Sequence, residues 1–368
     1  MDDIQHNINL LKLDPIDEIN YCFAKSLQNQ YMNIDFMQSF EKHLYKKMLK
    51  KHQAHAKNYK PEDNIFPLQS INADDINADK FKKMICQDVM QPIIVKGFFN
   101  DTKAVKTWDI ETLSQRFPNT DVSYCVTYPD GTLIDAEYGP LKDIANRILK
   151  PNKENVYIHN TAEIFKQHRE LLDEINYEKL KAYYNPIAVN AIIQLFMGGP
   201  KTGVMLHCAN EFNSFIMIEG QKEWTFIPPE FSYALNAILN INMQNAITPI
   251  KNHKQSFEYF EEHFPLYNRI PKYVGNIEAG DMLVFAPWWW HAVSNTTDTS
   301  IAVATRWTTL KRNTFPRGNI IFQNIQRSNK EFKKYSKIFI KNILNDDIIG
   351  DKEIQRNTLG KYKREKDK

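Results

Sequence analysis

Between Val204 and Pro229 the chain runs through two apolar stretches separated by a turn signal at Glu219-Gly220-Gln221. Phe215 to Ile218 and Trp224 to Ile227 are strand-prone, so this pattern predicts two strands, 204–218 and 222–228, joined by a tight turn. Ala188 to Phe196 reads as a strand entering the same unit. A further strand region, 281–307, contains Pro287-Trp-Trp-Trp-His291 and ends in a run of alternating small and apolar residues, Ser300 to Thr308. Four such signatures with long connections suit an antiparallel double-sheet barrel of jelly-roll type. Upstream, helix and strand patterns alternate. Pro92 to Gly97, Val122 to Val126 and Asn155 to Asn160 read as strands, Trp108 to Arg116 and 162–180 as helical, and Tyr128 to Gly131 as a turn. Tyr157 and His159 fall on one strand face because side chains alternate with period two. The segment 230–275 reads as a polar excursion with one helix, Ser256 to His263. The fold class expected is mainly β with flanking helices.

Two amphipathic stripes lie outside this region. Phe36, Phe40, Leu44 and Met48 recur at helical spacing on a basic segment, which predicts a helix packed on the main domain. Phe332, Tyr335, Phe339 and Ile343 form a second stripe, which packs either on its own chain or, as a homodimer, on a partner's copy. Lys60-Pro-Glu-Asp-Asn64 reads as a linker.

Composition narrows the function classes. A net charge of +3 over 368 residues is too mild for a nucleic-acid binder, which concentrates basic residues on one face. The basic end, 360–368, reads as a solvated tail. Four cysteines, Cys22, Cys86, Cys125 and Cys208, show no Cys-x-x-Cys pair, which argues for a reducing compartment and against structural zinc. The start of the chain lacks a signal-peptide pattern and no run reaches the ~18 apolar residues of a membrane span, so a cytoplasmic protein is expected.

His207 and His291 lie 84 positions apart, each at the end of an apolar strand. Inside a barrel they would meet across the interior as metal ligands. Imidazole suits iron, copper, nickel or zinc, so the pair alone does not choose the metal.

Here the residues reach a recognisable pattern. Pro92-Ile-Ile-Val-Lys-Gly97, Tyr157-Ile-His159, Gly199-Pro-Lys201, His207 with Asn213 six and Lys222 fifteen residues on, Pro228-Pro229, and Gly280-Asp281 followed by the Trp-rich histidine motif occur in this order. Together they resemble the cupin-like JmjC oxygenases, iron(II)- and 2-oxoglutarate-dependent enzymes, especially the branch similar to the asparaginyl hydroxylase that inhibits hypoxia-inducible factor. The resemblance runs from about Phe66 to Arg312 and implies a catalytic domain over 63–312, with an N-terminal helical extension, 1–62, and a C-terminal helical segment and tail, 313–368. It also implies a double-stranded β-helix fold, iron held by His207 and His291, and 2-oxoglutarate held by Lys222 and Tyr157, with Asn213 near the cosubstrate or the iron. A charge-assisted contact from Lys222 would fix the far carboxylate of the cosubstrate. Arg306 stands where relatives carry Asn on the last strand, and would add a positive contact to cosubstrate or substrate. Val204 replaces a Thr common three residues before the first histidine.

The main departure is Ala209. The family pattern His-x-Asp supplies a carboxylate to complete a two-histidine, one-carboxylate site; this chain reads His207-Cys208-Ala209. Four readings compete. A chloride or bromide fills both the vacancy and the missing negative charge, as in iron/2-oxoglutarate halogenases with His-x-Ala or His-x-Gly. Glu211 substitutes as a ligand, although on a continuous strand it sits about 6.6 to 6.8 Å along from position 209. Iron works with two histidines and water as a hydroxylase. Or the domain is a catalytically silent binding module, against which the retention of Lys222, Tyr157, Asn213 and His291 in register weighs. Cys208 points away from Ala209 and reads as packing. The leading expectation is a halogenase acting on a small molecule, peptide or protein, with entrance residues such as His159, Arg306 and the 230–275 segment peculiar to this chain.

Overall fold

The computed structural model describes residues 64–309 apart from 86–89, 128–132, 152–153, 184–187, 210 and 240–244, together with Asp14, Ile16 and residues 39, 42–47 and 49–50. The C-terminal stripe at Phe332 to Ile343 and the turn at Tyr128 to Gly131 lie outside the described residues.

In chain order the strands are β1 (Ile65–Pro67), β2 (Gln69–Asn72), β3 (Ile93–Lys96), β4 (Asp121–Thr127), β5 (Leu133–Pro140), β6 (Asn155–Thr161), β7 (Ala188–Gly198) and β8 (Gly203–Ala209). There follow β9 (Phe212–Glu219), β10 (Gln221–Ile227), β11 (Ile238–Leu239), β12 (Asn245–Ile247), β13 (Lys272–Glu278), β14 (Met282–Phe285), β15 (Trp290–Asn295) and β16 (Ser300–Thr309). They form two sheets. The smaller runs β1-β13-β10-β15-β8-β12-β11 and the larger runs β2-β3-β14-β9-β16-β7-β6-β4-β5. Consecutive strands alternate between sheets through β7 to β10 and again through β13 to β16, which is how a jelly roll closes around an interior. Most pairings are antiparallel; β1 joins β13, and β2 joins β3, in parallel.

One expected strand divides. The stretch 204–218 is not one strand but two, β8 in the small sheet and β9 in the large one, the chain crossing between sheets after Ala209 and before Phe212. The region 281–307 holds β14, β15 and β16, the last of them where the final strand, Ser300 to Thr308, was expected. Apolar runs alone do not mark such crossings, since both segments remain apolar on either side. The turn at Gly220 is as expected. Its φ of 77° lies in the left-handed region, and a Cβ there would overlap the carbonyl oxygen of Thr299. Gly280-Asp281 closes another turn. The Asp281 carboxylate accepts from the Gly97 N–H at 3.0 Å and from Lys96 Nζ at 2.7 Å, clamping the end of β3 to the start of β14.

The main core fills the space between the sheets and the helices flanking the large sheet, among them Ile110–Arg116 and Leu141–Leu149. Asp109 caps the first of these by accepting from the Thr112 N–H at 2.6 Å, so the helix starts after Trp108 rather than at it. The helical region after 162 is three short helices, Glu163–Gln167, Glu170–Glu174 and Tyr177–Lys181.

The segment 230–275 is not a polar excursion. It contributes a 3-10 helix (Pro229–Leu235), the helix Phe257–His263 and strands β11 to β13, and it buries Phe231, Tyr233, Leu235, Phe260, Leu266, Tyr267 and Ile270 in a second core. These residues follow neither helical nor strand period for long, so their burial leaves little periodic trace. Leu44, from the N-terminal stripe, is buried in the same second core, with Tyr45 and Leu49 packed against it; Phe36, Phe40 and Met48 lie outside the described residues.

Candidate functional site

The interior between the sheets is lined by alternate residues of each inward-facing strand. The small sheet supplies His207 from β8, Lys222 and Trp224 from β10, and His291 and Asn295 from β15. The large sheet supplies Tyr157 and His159 from β6, Gln194 from β7, Asn213 from β9 and Arg306 from β16. Ring and side-chain contacts cross the gap: Trp224 to Phe215 at 4.8 Å, His291 to Phe285 at 4.8 Å, and Lys222 Nζ to the Tyr157 ring at 5.2 Å.

His207 and His291 do come together, but as direct partners on neighbouring strands of one sheet rather than across the barrel. Their ring centroids are 4.2 Å apart. Each Nδ1 is bonded to a backbone carbonyl two residues earlier, His207 to Met205 O at 2.8 Å and His291 to Trp289 O at 2.9 Å. A carbonyl only accepts, so each Nδ1 carries the proton and each Nε2 is left with a lone pair, the tautomer a metal ligand needs. Burial keeps both rings neutral: His207 is pulled down to about 4, and His291 lies well below the ordinary histidine range, with the neighbouring His207 adding to the effect.

Lys222 is fully buried. Its ammonium donates to Asn295 Oδ1 and to Ser300 Oγ at 3.2 Å, and among the described residues no carboxylate pairs with it. Desolvation pulls its pKa down to about 7. A buried cation with neutral partners is poorly compensated, and a ligand carboxylate is the group that would compensate it. Asn295 is held in turn by Gly199 O and Thr202 Oγ1. Gly198 makes this packing possible, because a Cβ there would lie 2.6 Å from Tyr157 Cδ2 and 2.9 Å from Asn295 Nδ2. Several buried polar atoms facing the interior have no partner: His159 Nε2, Gln194 Oε1, Asn213 Oδ1 and Trp224 Nε1. Native interiors rarely leave such atoms unpaired, so each is a candidate for contact with a bound polar group.

Ala209 ends β8, opposite Asn245 of β12. Its carbonyl accepts from the Trp288 N–H at 2.7 Å, and Trp288 sits at a φ of 69°, a conformation costly for a bulky side chain. Because the chain leaves β8 at this point, the continuous strand assumed for positions 209 and 211 does not exist. Glu211 lies just before β9, half-buried; burial raises its carboxyl pKa, and the charge of Arg306 opposes that shift. Among the described residues, no Asp, Glu or Cys joins the two histidines in a group that could hold a metal. Cys208 faces away, buried in the second core, where burial pushes its thiol pKa up.

Arg306 stands opposite Asn213 and donates to Asn160 Oδ1 at 3.1 Å. Asn160, in left-handed conformation at φ 52°, occupies the irregularity between Ile158 and Thr161 where β6 leaves its register with β7. His159 stacks on Tyr157, 6.2 Å between centroids at 11°. Sequence reasoning missed Asn295, Ser300, Asn160 and Gln194. Asn295 was within reach, four residues past His291 on the same strand face; nothing in the spacing marks Asn160.

Two imidazoles with free Nε2 atoms are a donor set that suits iron, and buried Lys222 is one that suits a carboxylate. The chain belongs to the cupin-like domain family, matching it over residues 78–313. That family includes iron(II)/2-oxoglutarate oxygenases. A comparison with curated proteins gave no match. Among the described residues no helix is long and apolar enough to cross a membrane.

Proposed function

We propose that the protein is an iron(II)- and 2-oxoglutarate-dependent enzyme that replaces an aliphatic C–H with C–Cl or C–Br, the halide occupying the position that Ala209 leaves free. The observation that carries this reading is the pair of neutral histidines, Nε2 lone pairs free, with no acidic residue joining them among the described residues. His207 and His291 would hold the iron. Lys222 would bind the distal carboxylate of 2-oxoglutarate, with the Tyr157 ring packed beside it, and Asn213 Oδ1 would meet a donor at the metal end of the cavity. Iron, 2-oxoglutarate and dioxygen together supply the oxidising power to remove hydrogen from an unactivated carbon.

The residues of this chain do the rest. The Met205 and Trp289 carbonyls fix both imidazole tautomers, so no proton has to leave before a metal binds. Trp224, Phe226 and Phe285 surround His291 with rings 4.8 to 5.8 Å away and exclude bulk water from that side. Ala209 offers a methyl group where a carboxylate would bring both bulk and charge. Glu211 faces Arg306 electrostatically, which disfavours it as a replacement ligand.

The test is anaerobic. Protein with iron(II) and 2-oxoglutarate should show a charge-transfer band that shifts when chloride or bromide is added. A band indifferent to halide would sink the halogenase reading and favour a hydroxylase; failure to bind 2-oxoglutarate at all would favour a silent module.

A further inference from the structure

The proposed function gives roles to Lys222 and to the histidine pair, and none to the polar side chains around Arg306. Lys222 lies against Ser300 at the start of β16. Arg306 lies six residues further along the same strand, roughly 20 Å of backbone at 3.3 Å per residue. Arg306 therefore stands away from Lys222, at the level of the histidine pair: it pairs with Asn213, Asn213 pairs with Phe285, and the Phe285 ring lies 4.8 Å from His291.

Arg306 is built in rather than draped on the surface. Asn160 fixes one end of its guanidinium fork at 3.1 Å, and the Asn160 backbone carbonyl accepts from Gln194 Nε2 at 3.5 Å. The Asn160 side chain also meets His159 Nδ1 at 3.0 Å. One left-handed asparagine thus ties together three polar side chains of the large sheet. Gln194 Oε1 and His159 Nε2 remain buried and unpartnered on that wall. Arg306 has five N–H donors, and among the described residues it makes a single side-chain hydrogen bond and no ion pair. Glu211 is its electrostatic neighbour, yet among the described residues the two form no salt bridge. Glu211 directly precedes Phe212, which pairs with Trp307 beside Arg306, so the two half-buried side chains are neighbours in register that a guest carrying both charges can join.

We infer that Arg306 and Glu211 form the substrate subsite and take a compact zwitterion, the α-carboxylate and α-ammonium of an amino acid, with Gln194 and His159 completing the hydrogen bonds. This rests on the proposed function for what happens to the substrate, but not for how it binds. Arg306 donates to the carboxylate through its guanidinium fork. Glu211 receives the ammonium, and the side chain extends toward the histidine pair.

The experiment is calorimetric titration of the full-length protein, with and without 2-oxoglutarate, using the common α-amino acids, their methyl esters and their deaminated acids. At least one amino acid should bind. Its ester and its deaminated acid should each bind about tenfold or more weakly, the loss typical of one charged hydrogen bond. Arg306→Gln should abolish the preference over the ester, and Glu211→Gln the preference over the deaminated acid. 2-Oxoglutarate affinity should stay within about twofold in both variants. Arg306→Lys, which keeps the charge, should retain part of the carboxylate preference and shows that the Gln effect is not misfolding. The inference is overturned if no amino acid binds, if ester and acid bind equally, or if Arg306→Gln weakens 2-oxoglutarate instead. Amino-acid binding without any 2-oxoglutarate binding would leave this subsite standing and remove the oxygenase-class reading.

Discussion

Lys222 makes the sharpest titration prediction. In the unfolded chain a lysine holds its proton to about pH 10.4, whereas the folded protein releases it at about 7. Between those values the unfolded state binds more protons, so the contribution of Lys222 to stability rises with pH across that window. Ligand binding runs the other way, because a carboxylate needs the ammonium form. The affinity for 2-oxoglutarate should weaken as pH rises above 7, by up to about tenfold per unit. Lys222→Met should remove both the binding and the pH dependence, which titration at pH 6.5, 7.5 and 8.5 would read. Ala209 makes the second residue-scale prediction. Ala209→Asp should tighten iron binding and erase the halide response of the charge-transfer band. The sequence made the chemistry of these two positions legible, since a lysine and an alanine at fixed intervals from His207 can be counted. It did not reveal what holds them: Asn295 and Ser300 reach Lys222 from strands 73 and 78 positions away.

At the scale of elements, β7 and β6 carry the wall on which Tyr157 and His159 stand, and Gly198 is the point of closest approach. Gly198→Ala should destabilise the protein by about 1–3 kcal/mol, the usual cost of overpacking. It should also weaken 2-oxoglutarate binding by displacing Tyr157; thermal denaturation and titration on one sample separate the two effects. Strand existence was readable because period-two and strand-prone runs are local properties, and β4, β6, β10 and the 188–198 strand lie where the pattern put them. Sheet membership was not. Whether the chain stays in a sheet or crosses depends on partners elsewhere, so 204–218 looked continuous although β8 and β9 belong to different sheets. The same gap misled the reading of Glu211, whose distance from Ala209 was reckoned along a strand that ends before it.

Over the whole molecule, two cores share one barrel wall. The second is built largely from 230–275, a segment whose polar composition hid ten buried hydrophobic residues among those described, because 3-10 turns and short strands scatter them without a period. Phe231→Ala should cost about 3–5 kcal/mol in urea denaturation, although Phe231 belongs to the second core rather than to the interior that holds the site. The pairing of His207 with His291 on adjacent strands has a wider consequence. A slip of β8 against β15 by one residue would turn one imidazole out of the barrel, since neighbouring positions face opposite ways. The register already shifts between His291 and Val293. On the proposed function, metal affinity is therefore a gauge of strand alignment: a variant with native secondary structure and native melting behaviour, but with β8 misregistered on β15, would announce itself first as a protein that does not take up iron(II).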